Sequence, residues 1–184
     1  MSDWRSPVTG SRQPEAAFVL RACTPGDFEA IYAIVNEAAG AYRGVIPADR
    51  WKEPYLSRTE LREEIDAGVT FWGCEIEGEL VGVMGIQPRG EVALIRHAYT
   101  RPARQREGIG GRLLEFLRAR AGTPLLVGTW RAARWAIAFY ERHGFRPVAG
   151  DESAALLRRY WRIPERQVQT SVVLADRPPR GAAT

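Results

Sequence analysis

Lysine is almost missing from this sequence: Lys52 is the only one among 26 basic residues. The positive side of the formal net charge of +4 is therefore arginine. No Lys/Arg run resembles a basic arm, so nucleic acid is not an expected partner, and a small polyanionic cofactor accounts for the excess equally well. Cysteine is also scarce. Cys23 and Cys74 make neither a metal spacing nor a disulfide framework, which fits a reducing cytoplasm. The two histidines, His97 and His143, are too few for a His-rich metal site, and no metal is expected. No apolar run approaches the length of a membrane span, and the opening MSDWRSPVTGSRQPE lacks the apolar core of a signal peptide. These absences leave a cytoplasmic protein without a membrane partner as the expectation.

The 184 residues are enough for one globular domain with a real core and too few for two large ones. Residues 1–17 and 176–184 are polar or rich in Gly, Pro and Ala and are expected to be flexible ends, which leaves a single domain over 18–175. Phe18 to Ala22 alternates like a strand, and Thr24-Pro25-Gly26-Asp27 opens a helix with Thr24 as N-cap. Phe28, Ile31, Ile34 and Val35 form the buried stripe of that helix. Ser57-Arg58-Thr59-Glu60 is a capping box for a second helix, to about Asp66.

VTFWGCEI and LVGVMGI flank the turn Glu77-Gly78 as a hairpin, and EVALIRHAYT is the next strand. A helix over about 109–121 follows. The unbroken apolar run PLLVGTW then reads as a strand buried on both faces. Trp135, Ala136, Phe139 and Tyr140 stripe a last helix ending at Gly144; another strand, an irregular RYWRIPERQ and the strand TSVVLA complete the chain. The order β-α-α-β-β-β-α-β-α-β-β predicts an α/β fold around a mixed, largely antiparallel sheet.

One stretch asks for a ligand. QREGIGGRLLEF places Gly108, Gly110 and Gly111 directly before an apolar helical run. A P-loop is excluded because no Gly-Lys-Ser/Thr follows, and a dinucleotide fingerprint fails because Leu113 holds the third glycine position. What remains is strand, Q-x-x-G-x-G, helix. Successive amides at such a turn and the free N–H groups of a helix start make an anion cradle. Glycines alone are equally compatible with a mere tight turn.

Gln105-Arg106-Glu107-Gly108-Ile109-Gly110 resembles the acyl-CoA pyrophosphate motif of the GNAT superfamily of N-acetyltransferases, and AIAFYERHGF (Ala136 to Phe145) resembles that superfamily's second signature. The resemblance covers about residues 18–175. It implies a GNAT-like sheet of about seven strands flanked by about four helices, with acetyl-CoA as co-substrate and an amine of a small molecule or peptide as acceptor. One position departs: Ala133 stands where the family commonly has an asparagine that helps hold the cofactor arm.

Acyl transfer to an amine defines the site residues to look for. Backbone N–H groups of Arg106, Glu107, Gly108, Ile109, Gly110 and Gly111, beside Gln105, would hold the diphosphate, and Arg101, Arg104 and Arg106 could add charge. The resemblance assigns the thioester oxygen to amides of Ala98, Tyr99 and Thr100, and protonation of the leaving thiolate to Tyr140. An ammonium needs a base before it can attack. His97, Glu91 and Glu75 are the candidates, His97 because it titrates in the useful range. Tyr42, Trp51, Tyr55, Tyr160 and Trp161 are the candidate walls of an acceptor pocket, or else core residues under a long connector. A catalytically silent acyl-CoA-binding sensor is the competing reading, and a homodimer is left open.

Overall fold

The computed structural model describes residues 18–178. A seven-stranded sheet runs in the order β1-β2-β3-β4-β5-β7-β6. Its strands are β1 (Val19–Ala22), β2 (Thr70–Ile76), β3 (Glu79–Arg89), β4 (Val92–Thr100), β5 (Leu125–Trp130), β6 (Arg146–Pro147) and β7 (Ser171–Ala175). Only β4 and β5 pair in parallel, so the mixed, largely antiparallel GNAT-like sheet expected from the sequence is present. The expected helices are α1 (Phe28–Ala39), α2 (Arg58–Asp66), α3 (Ile109–Arg120) and α4 (Arg134–Arg142).

Two further helices were not expected: α5 (Gly150–Tyr160) and α6 (Glu165–Thr170). They replace most of the segment read as irregular, leaving only Trp161–Pro164 extended between them. Buried Ser153, Leu156, Leu157 and Tyr160 recur at helical spacing along α5. The helix packs over Leu126 and Val173, while α3 packs over Leu125 and Val127 on the opposite face. Strand β5 is therefore apolar on both sides for a simple reason: both are covered.

Local chemistry sets the helix starts. Ser57 and Glu60 form the expected capping box, Glu60 N–H donating to Ser57 Oγ at 3.2 Å and Ser57 N–H to Glu60 Oε2 at 2.9 Å. At the first helix Thr24 is the N-cap, with Pro25 at the first position, as expected. Residues Pro25–Asp27 form a separate 3-10 turn, and the Asp27 carboxylate accepts from Thr24 N–H at 2.7 Å and from the Thr24 hydroxyl at 3.0 Å. The Asp27 carboxylate thus ties back to the cap residue, as the N3 member of a capping box.

The expected flexible N-terminal segment lies outside the described residues. Asp176, at the start of the expected C-terminal tail, accepts from Leu125 N–H at 2.8 Å and approaches Arg118 at 3.6 Å. Among the described residues no helix is long and apolar enough to cross a membrane.

Candidate active site

Strands β4 and β5 pair only over Ala93–Ile95 and Leu125–Val127. Beyond that they part, and Gly128–Trp130 keep a partner only on the other edge of β5, where β7 pairs with Leu126–Trp130. A bulge helps to free β4. Between Gly85↔Arg96 and Val83↔Tyr99 the register slips: His97 and Ala98 stand where β3 has only Met84, and His97 is held at φ 48°. The opening continues into a cavity of about 850 Å³, whose walls include Gln105, Gly110, Ala98, Tyr99, Thr100, His97 and Tyr140.

At one end of this cavity α3 begins. Gly108 is its N-cap in the left-handed region at φ 80°, with open space where a Cβ would lie. Arg106 also has positive φ, 70°. The backbone hydrogen bonds resume with Arg112 N–H to Gly108 O at 3.0 Å, and none among the described residues is donated by 106–111. Those amides are free donors at the positive end of a helix dipole. Not every residue of the stretch serves that end. Ile109 is a core side chain at 1% exposure, and Gly111 makes room for a neighbouring helix. Arg101 is tied to Glu37 at 2.7 Å and Arg104 to Glu107 at 3.5 Å.

Tyr140 reaches the same cavity from α4, its ring in the core beside Phe139 and Phe145. Burial first, then the charge of Tyr42, push its phenol far above the ordinary range. It therefore stays protonated at neutral pH and is available as a donor. Ala133 is fully buried beside Ile46 and Trp130, with Tyr42 and Tyr55 packed against them. That packing fills this position with apolar contacts.

The candidate bases separate cleanly. Glu91 accepts from the Tyr160 hydroxyl at 2.7 Å and pairs with Arg159 at 2.8 Å; it does not line the cavity. Glu75 is bound to Arg21 at 2.7 Å on the β1–β2 side of the sheet. Neither faces an acceptor, and both are set aside. His97 does line the cavity, with its Nε2 2.5 Å from Glu64 Oε2. Glu64 also pairs with Arg96 at 2.8 Å. Burial pushes the Glu64 carboxyl up, but the His97 hydrogen bond and the charges of His97 and Arg96 outweigh it, and the net shift is downward. Sequence reading missed Glu64. The signal was available, since Glu64 lies three residues after the buried Leu61, on the inward side of α2.

The aromatic candidates divide as well. Tyr42 and Tyr55 stack at 5.9 Å with planes 10° apart, Trp51 stands 5.8 Å from Tyr55, and all three line the cavity. Trp130, which donates to the Tyr55 hydroxyl at 3.3 Å, and Trp135, 5.5 Å from Tyr42, extend this wall and were not expected. Trp161 lines the cavity from the α5–α6 connection. Tyr160 does not: it packs in the core beside Leu156 and is bound to Glu91. The expected alternatives, pocket wall and core, are both true of Tyr42, Trp51 and Tyr55, which cover Ile46 with one side and face the cavity with the other.

Residues 67–147 match the model of the acetyltransferase (GNAT) domain. No curated protein matches the chain. Its fold is similar to that of the PaiA N-acetyltransferase from Thermoplasma acidophilum, solved in complex with coenzyme A, at 17% identity and TM-score 0.64 over 88% of this chain and 99% of that one. The N-acetylglutamate synthase from Neisseria gonorrhoeae, complexed with coenzyme A and N-acetyl-glutamate, is 24% identical at TM-score 0.63; 88% of this chain corresponds to 35% of that one. The ribosomal-protein-S18-alanine N-acetyltransferase from Escherichia coli is 17% identical at TM-score 0.61, over 91% of this chain and 100% of that one.

Proposed function

We propose that the chain is an acetyltransferase of the GNAT type, which moves an acetyl group from acetyl-CoA to the primary amine of a small molecule or peptide by direct attack. The observation that carries this reading is the row of acceptor-less amides at residues 106–111, beside a cavity that Gln105 and Gly110 line together with His97 and Tyr140. The amides bind the diphosphate. Backbone N–H groups at Ala98–Thr100, where β4 has lost β5 as a neighbour, meet the negative charge that develops on the thioester oxygen. His97 takes a proton from the ammonium, and the freed lone pair forms the C–N bond as the C–S bond breaks. Tyr140 protonates the departing sulfur, and the second proton, shed by nitrogen as the amide forms, passes through water to restore the Tyr140 hydroxyl. The acceptor approaches along Tyr42, Trp51, Tyr55 and Trp161.

Ala133 in the asparagine position favours one other reading, an acyl-CoA-binding module that does not turn over. Release of free thiol from acetyl-CoA in the presence of a panel of amines separates the two. Amine-dependent release supports the transferase; saturable CoA binding with no release for any amine supports the silent module.

A further inference from the structure

We propose that Glu64 is the positioning residue of the catalytic base: its carboxylate holds His97 in the tautomer protonated on Nε2 and leaves Nδ1 bare toward the acceptor amine. This rests on the acetyl-transfer reading above and deepens it, because a histidine can act as base only through a nitrogen that carries no proton.

The geometry allots every atom of the pair. Glu64 Oε2 lies 2.5 Å from His97 Nε2, and Oε1 lies 2.8 Å from Arg96 Nη2. Arg96 is held in turn, its Nη1 donating to Gln87 Oε1 at 3.1 Å, and Gln87 is anchored by donating to Ala67 O at 2.9 Å. Gln87 is 1% exposed, so the relay from Ala67 to His97 is fixed by the fold rather than by solvent. Glu64 stays a carboxylate in this setting, since its pKa is shifted downward despite burial, and a carboxylate can only accept. The hydrogen on the shared line must therefore belong to His97 Nε2.

The other ring nitrogen is open. His97 Nδ1 accepts from and donates to no group among the described residues, and Arg89 Nε is the only buried side-chain polar atom there without a partner. A partnerless Nδ1 on a cavity-lining residue thus reaches open space. His97 also occupies the left-handed region, φ 48°, at the bulge. That conformation is strained for a non-glycine residue and persists only where surroundings impose it. A tie between α2 and β4 alone would need nothing beyond the Arg96–Glu64 pair. The charged and titratable groups about the dyad are Arg96, Glu60, Tyr55 and Tyr99.

In turnover one proton passes from the ammonium to Nδ1. The resulting imidazolium keeps its Nε2–H on the Glu64 carboxylate, as an ion pair, and returns the proton to solvent after the amide has formed.

Ring ¹⁵N NMR of His97, assigned by loss of its signals in His97→Gln, reads the tautomer without turnover. The Nε2–H form is expected in the wild type and a mixture of tautomers in Glu64→Gln. Rates supply the second readout. Glu64→Gln keeps the shape and can still accept from Arg96, yet kcat should fall roughly 10²-fold, within the range of positioned acid–base effects, with the KM for acetyl-CoA unchanged. The double variant should be no slower than His97→Gln alone, because the two residues act as one unit. An Nδ1–H tautomer in the wild type, an unchanged kcat in Glu64→Gln, or losses that multiply in the double variant would each overturn the role of Glu64 while leaving acetyl transfer standing. A wild type that releases no thiol with any amine would overturn the acetyl-transfer reading and this proposal with it.

Discussion

His143 on the turn after α4 occupies the space into which a Cβ on Gly111 would project: its Cε1 lies 2.8 Å and its Nε2 3.0 Å from that position. The first turn of α3 thus touches an imidazole that is itself held by Phe139 at 4.8 Å and by Glu115 at 3.6 Å. Gly111 serves packing between two helices. Gly111→Ala is expected to destabilise the fold by about 1–3 kcal/mol, the usual cost of overpacking, and His143→Ala should restore most of the loss in the double variant. Melting temperatures of the three variants check this; a Gly111→Ala protein as stable as the wild type would refute it.

Gly110 is different. A Cβ there meets Phe139 Cζ at 3.4 Å, an ordinary contact, and the residue lines the cavity. Gly110→Ala should therefore leave stability within about 0.5 kcal/mol. Gly110→Asp should fold but lose the rise in melting temperature expected from CoA binding only the folded state, since its carboxylate would face the diphosphate in the proposed cradle. An undiminished rise in the aspartate variant would mean that the cradle lies elsewhere.

Tyr140→Phe preserves the buried ring and removes only the hydroxyl. If the hydroxyl protonates the thiolate, turnover should drop roughly 10²–10⁴-fold with CoA affinity intact. A loss below about threefold, with chemistry shown to limit the rate, would give that role to water.

Asp27 provides a pH test of the fold. Hydrogen bonds from the Arg21 guanidinium, opposed by burial and aided by Thr24, hold its carboxyl well below the ordinary carboxylate range. A depressed folded value means stability that is present above the unfolded pKa, about 3.9, and is lost as pH falls below it. Asp27→Asn should cost about 1–2 kcal/mol at pH 7, allowing for the partial exposure of Arg21. Its stability should converge on that of the wild type as pH drops from about 4 to 2. Parallel curves in denaturant unfolding across that range would contradict the assignment.

Much of this was legible because it is written locally. The capping box at Ser57, the stripe of α1 and the glycines at the start of α3 each follow from patterns within a few residues. What escaped depends on residues far apart in sequence. Glu64 matters only because β4 bulges at His97, 33 residues on, and Glu91 lost its candidacy to Tyr160, 69 residues away. Helix α5 is the exception: its Leu156, Leu157 and Tyr160 carry a readable period, obscured by the tryptophan, arginine and proline that follow at once. The doubling of Tyr42 and Tyr55 as core and wall is not a sequence property, because it depends on where the connector folds down over Ile46.

The central claim, that the amides at the start of α3 receive the CoA diphosphate, is tested most directly by backbone ¹⁵N–¹H NMR of the protein titrated with CoA. The account predicts that the largest saturable shifts fall on residues 106–111, with a second group at Ala98–Thr100. No saturable shift at millimolar CoA, or shifts that bypass 106–111, would contradict it.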